Sequence, residues 1–149
     1  MSQLSTQMKQ IATNKTNLLH GALCYQIVGC VYDVRNKYGS GQKESVYQNA
    51  LAEALTQANL PFKPEVPIVI LSVDTGKKLG NYRLDFVVDD KVIIETKAMK
   101  FTPTKIEQQL YSYLRSTPYE VGYLVNFGST KLFIKRVILT NDRKHSFNS

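Results

Sequence analysis

Tryptophan is absent from the chain, and histidine and cysteine are scarce at two residues each. His20 and His145 have no spaced partners for a metal site or for nucleophilic chemistry, and Ser40-Gly41 is no phosphate-binding loop. Cys24 and Cys30 fall at a separation that neither i+3 nor i+4 helical geometry brings together. A disulfide between them is not expected, two lone cysteines make no zinc site, and both are read as core residues. Long apolar runs are missing too: no segment approaches the roughly 20 residues that cross a bilayer. The opening Met1-Ser2-Gln3-Leu4-Ser5-Thr6-Gln7 lacks the charged and apolar regions of a secretory signal. The expectation is a cytoplasmic protein with no membrane partner.

What is present suffices for one core. A chain of 149 residues with 43% hydrophobic content can bury a sizeable interior, and no low-complexity stretch marks a second unit. The reading is a polar lead-in over residues 1–17, a single domain over 18–140, and a polar tail over 141–149. Acidic residues are outnumbered, 12 against 19 lysines and arginines, giving a formal charge of +7. That excess suits an anionic partner, nucleic acid being the simplest, and it equally suits solubility alone.

Leu19, Leu23, Ile27 and Val31, broadened by Tyr25, Val28, Tyr32 and Val34, form a helical stripe within Leu18 to Lys37, which Tyr38-Gly39-Ser40-Gly41 ends. A second helix is predicted from Lys43 to Ala58, with Tyr47, Leu51 and Leu55 on one line. The pattern then switches to strands: Glu65 to Val73, a turn at Asp74-Thr75-Gly76-Lys77, Tyr82 to Val88, and Val92 to Lys97. Thr102-Pro103 caps a third helix running to Ser116, and Tyr119 to Asn126 and Lys131 to Leu139 are closing strands.

Chemistry concentrates in the hairpin around Asp89-Asp90-Lys91. A three-residue loop faces Val88 with Val92, and counting outward sets Asp85 opposite Glu95 and Lys97 opposite Arg83. A two-residue loop would instead send the two carboxylates to opposite faces. The odd count also sorts Tyr82, Leu84, Phe86, Val88, Val92, Ile94 and Ala98 onto one side. Arg83, Asp85, Val87, Ile93, Glu95, Lys97 and Met99 then make a mixed face. That face reads either as a solvated surface with paired charges or as a partly covered site. Directly opposed carboxylates repel unless a cation or proton lies between them. Hard Mg²⁺ takes such oxygen ligands together with water and phosphate, and a neighbouring lysine can orient water or stabilise charge on a phosphate.

Asp85, followed after nine residues by Glu95-Thr96-Lys97, resembles the acidic and E-x-K elements of the PD-(D/E)XK nuclease superfamily. Gly41-Gln42-Lys43-Glu44-Ser45-Val46-Tyr47 with Ala50-Leu51 resembles the GxxExxY protein family, a branch of that superfamily. Pro67, Gly80, Gln109-Leu110, Tyr113-Leu114 and Asn126-Phe127-Gly128 follow in order, so the likeness runs from about Leu18 to Leu139. Two positions depart from the pattern: Leu84 replaces the proline of the superfamily's label, and Thr96 stands where an apolar residue is commoner.

The resemblance implies an α+β, α/β/α layered fold, a restriction-endonuclease-like core with a mixed five-stranded sheet flanked by helices. It also implies metal-dependent cleavage of phosphodiester bonds, with Mg²⁺, or Mn²⁺ in its place, and DNA rather than RNA as substrate. Asp85 and Glu95 would bind metal with the Thr96 carbonyl, and Lys97 would serve the water or the transition state. Glu44 shares a face with Tyr47. On its own, Glu44 complements a helix N-terminus and Tyr47 fills core; with the resemblance, Glu44 becomes a further catalytic and metal-supporting residue. Gln109 and Tyr113, four apart on one helix, resemble a signature of recombination-type exonucleases and are expected, with Tyr47, to line the site. Arg83, Lys100, Lys105, Lys131 and Lys135 are candidates for nucleic-acid contact. Lys131 and Lys135 read equally well as protection of an edge strand. The competing reading is an inactive nuclease-fold module that binds nucleic acid or a protein partner; a homodimer is compatible with either.

Overall fold

A computed structural model describes residues 19–145. Two helices come first, α1 over Gly21–Tyr38 and α2 over Glu44–Gln57, followed by strands β1 (Phe62–Leu71), β2 (Lys78–Val88) and β3 (Val92–Lys97). Helix α3 (Thr104–Arg115) then crosses to β4 (Val121–Asn126), and β5 (Phe133–Ile138) and a short helix α4 (Asn141–His145) complete the fold. The strands lie side by side in chain order, β1-β2-β3-β4-β5, antiparallel except for the parallel pair β3–β4 that the α3 crossover joins. This is a mixed five-stranded sheet flanked by helices, the α+β plan expected from the sequence.

The sheet separates two cores. Against one face pack α1 and α2, burying Ile27, Val31, Val34, Tyr47, Leu51 and Leu55 on Phe86, Val88, Val92 and Ile94. Cys24 and Cys30 are buried there as free thiols. Against the other face packs α3, with Leu110, Tyr113 and Leu114 on Val87, Ile93, Leu124 and Val137. Each fully buried aliphatic side chain removes apolar area worth about 1.5–3 kcal/mol from water, so both interfaces contribute strongly. At Gly122 on β4 a Cβ would stand 2.9 Å from Ile93 Cγ1 and 3.1 Å from Leu110 Cδ1, which is why α3 can sit so low on the sheet.

The hairpin register follows the odd count. Asp89 and Asp90 both take positive φ, and the Lys91 amide donates to the Val88 carbonyl, which leaves Lys91 as an extra residue and pairs Val88 with Val92. The facing of the outer residues differs from expectation. Leu84 belongs to the α3 core with Val87, and the Tyr82 ring lies on Tyr113 of α3, whereas Phe86 and Val88 face α1 and α2. The reason is a turn in the β1–β2 ribbon: Glu65 adopts φ 52° and the ladder skips from Pro64↔Phe86 to Val66↔Leu84. Simple alternation fails across such a break. Lys97 likewise does not face Arg83. The β2–β3 ladder ends at Phe86↔Ile94, while β3 stays paired with β4 as far as Lys97↔Asn126.

The polar stretch after Leu139 carries α4, and Lys144 is buried with its Nζ donating to the carbonyls of Thr117 and Tyr119. No helix among the described residues is long and apolar enough to cross a membrane.

Candidate active site

Where β2 and β3 part, backbone groups that would have paired across the ladder need other partners. Two carboxylates supply them. Asp85 Oδ2 accepts the Thr96 amide at 2.8 Å and the Thr96 hydroxyl at 2.8 Å. Glu95 Oε1 accepts the Asp85 amide at 3.0 Å. The acids are therefore cross-linked through each other's strands at the mouth of a fork, and one oxygen of each remains outside these bonds.

Thr96 also accepts the side-chain amide of Gln48 at 3.1 Å, tying α2 to the fork. This accounts for threonine in the middle of the E-x-K triplet. Its β-branched body suits a central strand, while its hydroxyl relays between Gln48 and Asp85. Gln48 was not anticipated, since a glutamine on a helix carries no spacing signal of its own.

Glu95 is 6% exposed. Burial pushes its carboxyl up to about 8, and the Asp85 charge beside it adds to the rise; the Asp85 amide and Lys97 oppose it, and Glu44 adds a further small push. Glu44, exposed at the first turn of α2, is raised by partial desolvation, lowered by Lys97 and raised by Asp85. Glu44, Asp85, Glu95 and Lys97 thus lie within one electrostatic neighbourhood. Among the described residues Lys97 forms no salt bridge, so its ammonium is not committed to any one of these acids.

Among the described residues no group of three or more His, Cys, Asp or Glu side chains is gathered closely enough to hold a metal ion. The chemistry of the fork nevertheless fits a hard divalent cation. Two carboxylates each keep an oxygen outside the fork's hydrogen bonds, and burial beside another anion makes Glu95 hold a proton that a cation can replace. Mg²⁺ commonly uses one or two carboxylates and completes its shell with water and phosphate.

Asn126 and Gly128 shape the segment after Lys97. The Asn126 Oδ1 accepts the amides of Met99 and Gly128 at 2.9 and 3.0 Å, and its Nδ2 donates to the Thr102 hydroxyl at 2.7 Å. The Phe127 amide donates to the Lys97 carbonyl at 2.8 Å. At Gly128 a Cβ would meet the Met99 nitrogen at 2.5 Å and the Ala98 carbonyl carbon at 2.6 Å, so only glycine permits this crossing.

The remaining candidates divide. Tyr113 is buried beside the acids, its hydroxyl pushed up to about 12 by burial first and by Glu95 next, with Tyr82 and Asp85 adding to the rise. Gln109 is exposed on the same helix, and both residues border a groove of about 440 Å³ that also takes in Tyr82 and Lys105. Tyr47 does not line the fork. It is fully buried, stacked on Phe127 at 4.7 Å, and its hydroxyl donates to the Gly39 carbonyl and accepts the Gln42 amide, fixing the loop that leads to Glu44.

Of the basic candidates, Arg83 pairs with Glu65 at 3.7 Å and Lys135 with Glu107 of α3 at 2.8 Å. Lys100 lies 5.8 Å from the Phe101 ring centroid. Lys131 precedes β5, so of these two lysines only Lys135 lies on that strand. Tyr82, sorted by alternation onto the opposite side, is an aromatic groove residue the sequence reading missed.

A mixed sheet between helical layers, with two acids and a lysine where its central strands separate, defines an α/β/α fold with a candidate acidic site at the fork. The family model of the PD-(D/E)XK nuclease superfamily matches residues 21–137, and the chain belongs to that superfamily. It is a superfamily of nucleases, whose members typically use divalent metals and act on nucleic acid. No curated protein and no solved structure matches the chain significantly.

Proposed function

We propose that this protein is an active Mg²⁺-dependent nuclease, DNA more than RNA being its substrate, and that it is a GxxExxY-type member of the superfamily. The observation that carries this reading is the fork: Asp85 and Glu95 on one opening of the sheet, each with an oxygen outside the fork's hydrogen bonds, and Lys97 beside them. Both acids and the lysine are present, whereas a degenerate copy usually loses one.

Asp85, Glu95 and the Thr96 carbonyl would hold the cation, Mg²⁺ or Mn²⁺, with Glu44 supporting from α2. A bound divalent ion supplies Lewis acidity, neutralising phosphate charge and making a bound water more acidic. The protein's own residues do the rest. Thr96, held by Gln48, fixes the Asp85 carboxylate in one orientation. Glu95 would exchange its proton for the cation, and Lys97 would lie next to the phosphate, where it can stabilise charge as water adds and the leaving oxygen departs. Tyr113 and Gln109, which line the groove along α3, would border the strand as it reaches the fork.

The test is incubation of purified protein with single-stranded, double-stranded and branched DNA and with RNA, with and without Mg²⁺ or Mn²⁺, beside Asp85→Ala and Lys97→Ala. Metal-dependent cleavage that both substitutions abolish supports the enzyme. Salt-sensitive binding without cleavage, unchanged by either, supports the inactive module instead.

A further inference from the structure

The ribbon turn at Glu65 carries Tyr82 out of the sheet's alternation and onto the face of α3, where its ring meets Tyr113 at 5.3 Å and 50°. Core tyrosines are covered. Tyr82 is 46% exposed, and its hydroxyl takes no hydrogen bond among the described residues, so neither burial nor a polar anchor accounts for it. Tyr113 behind it is 5% exposed and backs the outer ring.

The groove beside this pair has a volume of about 440 Å³, within the range of sites that take one small organic ligand. It follows one face of α3. Lys105 lies near one end and Arg115 near the other, about 15 Å apart at the helical rise of 1.5 Å per residue, with Gln109 and Tyr113 between them. Ile70 of β1 lines the opposite wall. An aromatic face close to Arg115 in a cleft that carries a further cation, Lys105, towards its other end is a layout that takes a flexible polyanion of flat rings. A paired base in a duplex has its faces covered by its neighbours; an unpaired one offers a face for stacking, and such contacts are indifferent to sequence.

We propose that Tyr82 is a stacking platform for an unpaired base, and that the substrate class of this site is single-stranded nucleic acid, free or at a frayed or branched end. The proposal rests on the reading of the fork as a site for nucleic acid. Tyr82, backed by Tyr113, holds the base; Lys105 and Arg115 attract the phosphates along α3; the scissile phosphate is thereby delivered past Tyr113 to Asp85 and Glu95. Tyr82 is a binding and specificity residue in this scheme.

Equilibrium binding of a labelled oligonucleotide, single-stranded and as a blunt duplex of the same sequence, is measured by fluorescence anisotropy in EDTA. Wild type is compared with Tyr82→Ala, Tyr82→Leu and Tyr82→Trp, each first shown to melt like wild type; Tyr82→Leu keeps apolar packing on Tyr113 if the alanine variant does not fold. The expected result is tighter binding of the single strand, weakened about tenfold by the alanine and leucine variants, retained by tryptophan, and with duplex binding unmoved. Single-strand affinity that survives loss of the ring, or a preference for the blunt duplex, overturns the proposal. Wild-type cleavage together with ring-independent binding removes the proposal and leaves the nuclease reading intact. Ring-dependent single-strand binding with no cleavage under any metal removes the nuclease reading and leaves this one. No binding to any nucleic acid overturns both.

Discussion

Replacing Thr96 with valine isolates the relay that holds the fork. Valine keeps the shape, β-branching and burial of threonine, so strand propensity and packing change little. What disappears is the hydroxyl that donates to Asp85 Oδ2 at 2.8 Å and accepts from Gln48 Nε2 at 3.1 Å. A hydrogen bond to a charged acceptor contributes about 1.5–3 kcal/mol, and a neutral one about 0.5–1.5 kcal/mol. The Thr96 amide still reaches Asp85, and Gln48 is only partly buried and can turn to water, so the lower half of the combined range applies. The expected loss is about 2 kcal/mol, or roughly 4–8 °C in Tm for a domain of this size. Urea and thermal unfolding of Thr96→Val, Gln48→Ala and the double variant provide the assay. The double variant should lose less than the sum of the two, because removal of the hydroxyl already takes away the partner of Gln48. A neutral or stabilising Thr96→Val, as expected for a merely space-filling strand residue, would refute the relay.

Stability without metal should fall as pH rises. The Glu95 carboxyl is raised from 4.5 to about 8, so between these values the folded protein holds a proton that the unfolded chain has released, and stability declines until the folded group ionises near 8. In EDTA, Glu95→Gln should match wild type near pH 5 and exceed it in Tm near pH 8.5; parallel curves at all pH values would contradict this origin. Asn126→Ala removes acceptors for the Met99 and Gly128 amides and the donor to Thr102, and should cost about 2–4 kcal/mol in chemical denaturation. A loss under about 0.5 kcal/mol, as for an ordinary surface change, would refute its role in holding the segment after Lys97. The Cys30 thiol is pushed up to about 11 by burial, with Asp33 adding to the rise. Iodoacetamide at pH 8 should therefore leave Cys30 unmodified until the protein unfolds, and rapid native-state labelling seen by peptide mass would contradict its burial.

The layers and the sheet were legible because they rest on periodicity. The line Tyr47, Leu51, Leu55 fixes the buried face of α2, and Val87 and Ile93 on the otherwise polar side of the hairpin announce a second covered face, which α3 supplies. Register was legible through parity, since only an odd loop places Asp85 and Glu95 together. What alternation could not convey is a change of face along one strand. The positive φ of Glu65 has no sequence signal, because glutamate is not a residue that favours it, and Tyr82 and Leu84 were assigned to the wrong layer in consequence. Gln48 was missed for a related reason: its partner is 48 positions away, and no spacing within a helix reports a contact to a distant strand. Tyr47 was expected to line the site from the family resemblance, yet its hydroxyl is taken by Gly39 and Gln42, so its part is to hold the loop that positions Glu44.

The account stands on the two acids of the fork being set for a cation, and calorimetric titration of the metal-free protein with Mn²⁺ and Mg²⁺ at pH 7, in two buffers of different ionisation enthalpy, tests this most directly. Binding should be accompanied by release of close to one proton, since Glu95 still holds its proton at that pH. Glu95→Gln should abolish the proton release, and Asp85→Ala should abolish the binding itself. Absence of binding at millimolar metal, or binding that is proton-neutral and indifferent to Asp85→Ala, would contradict it.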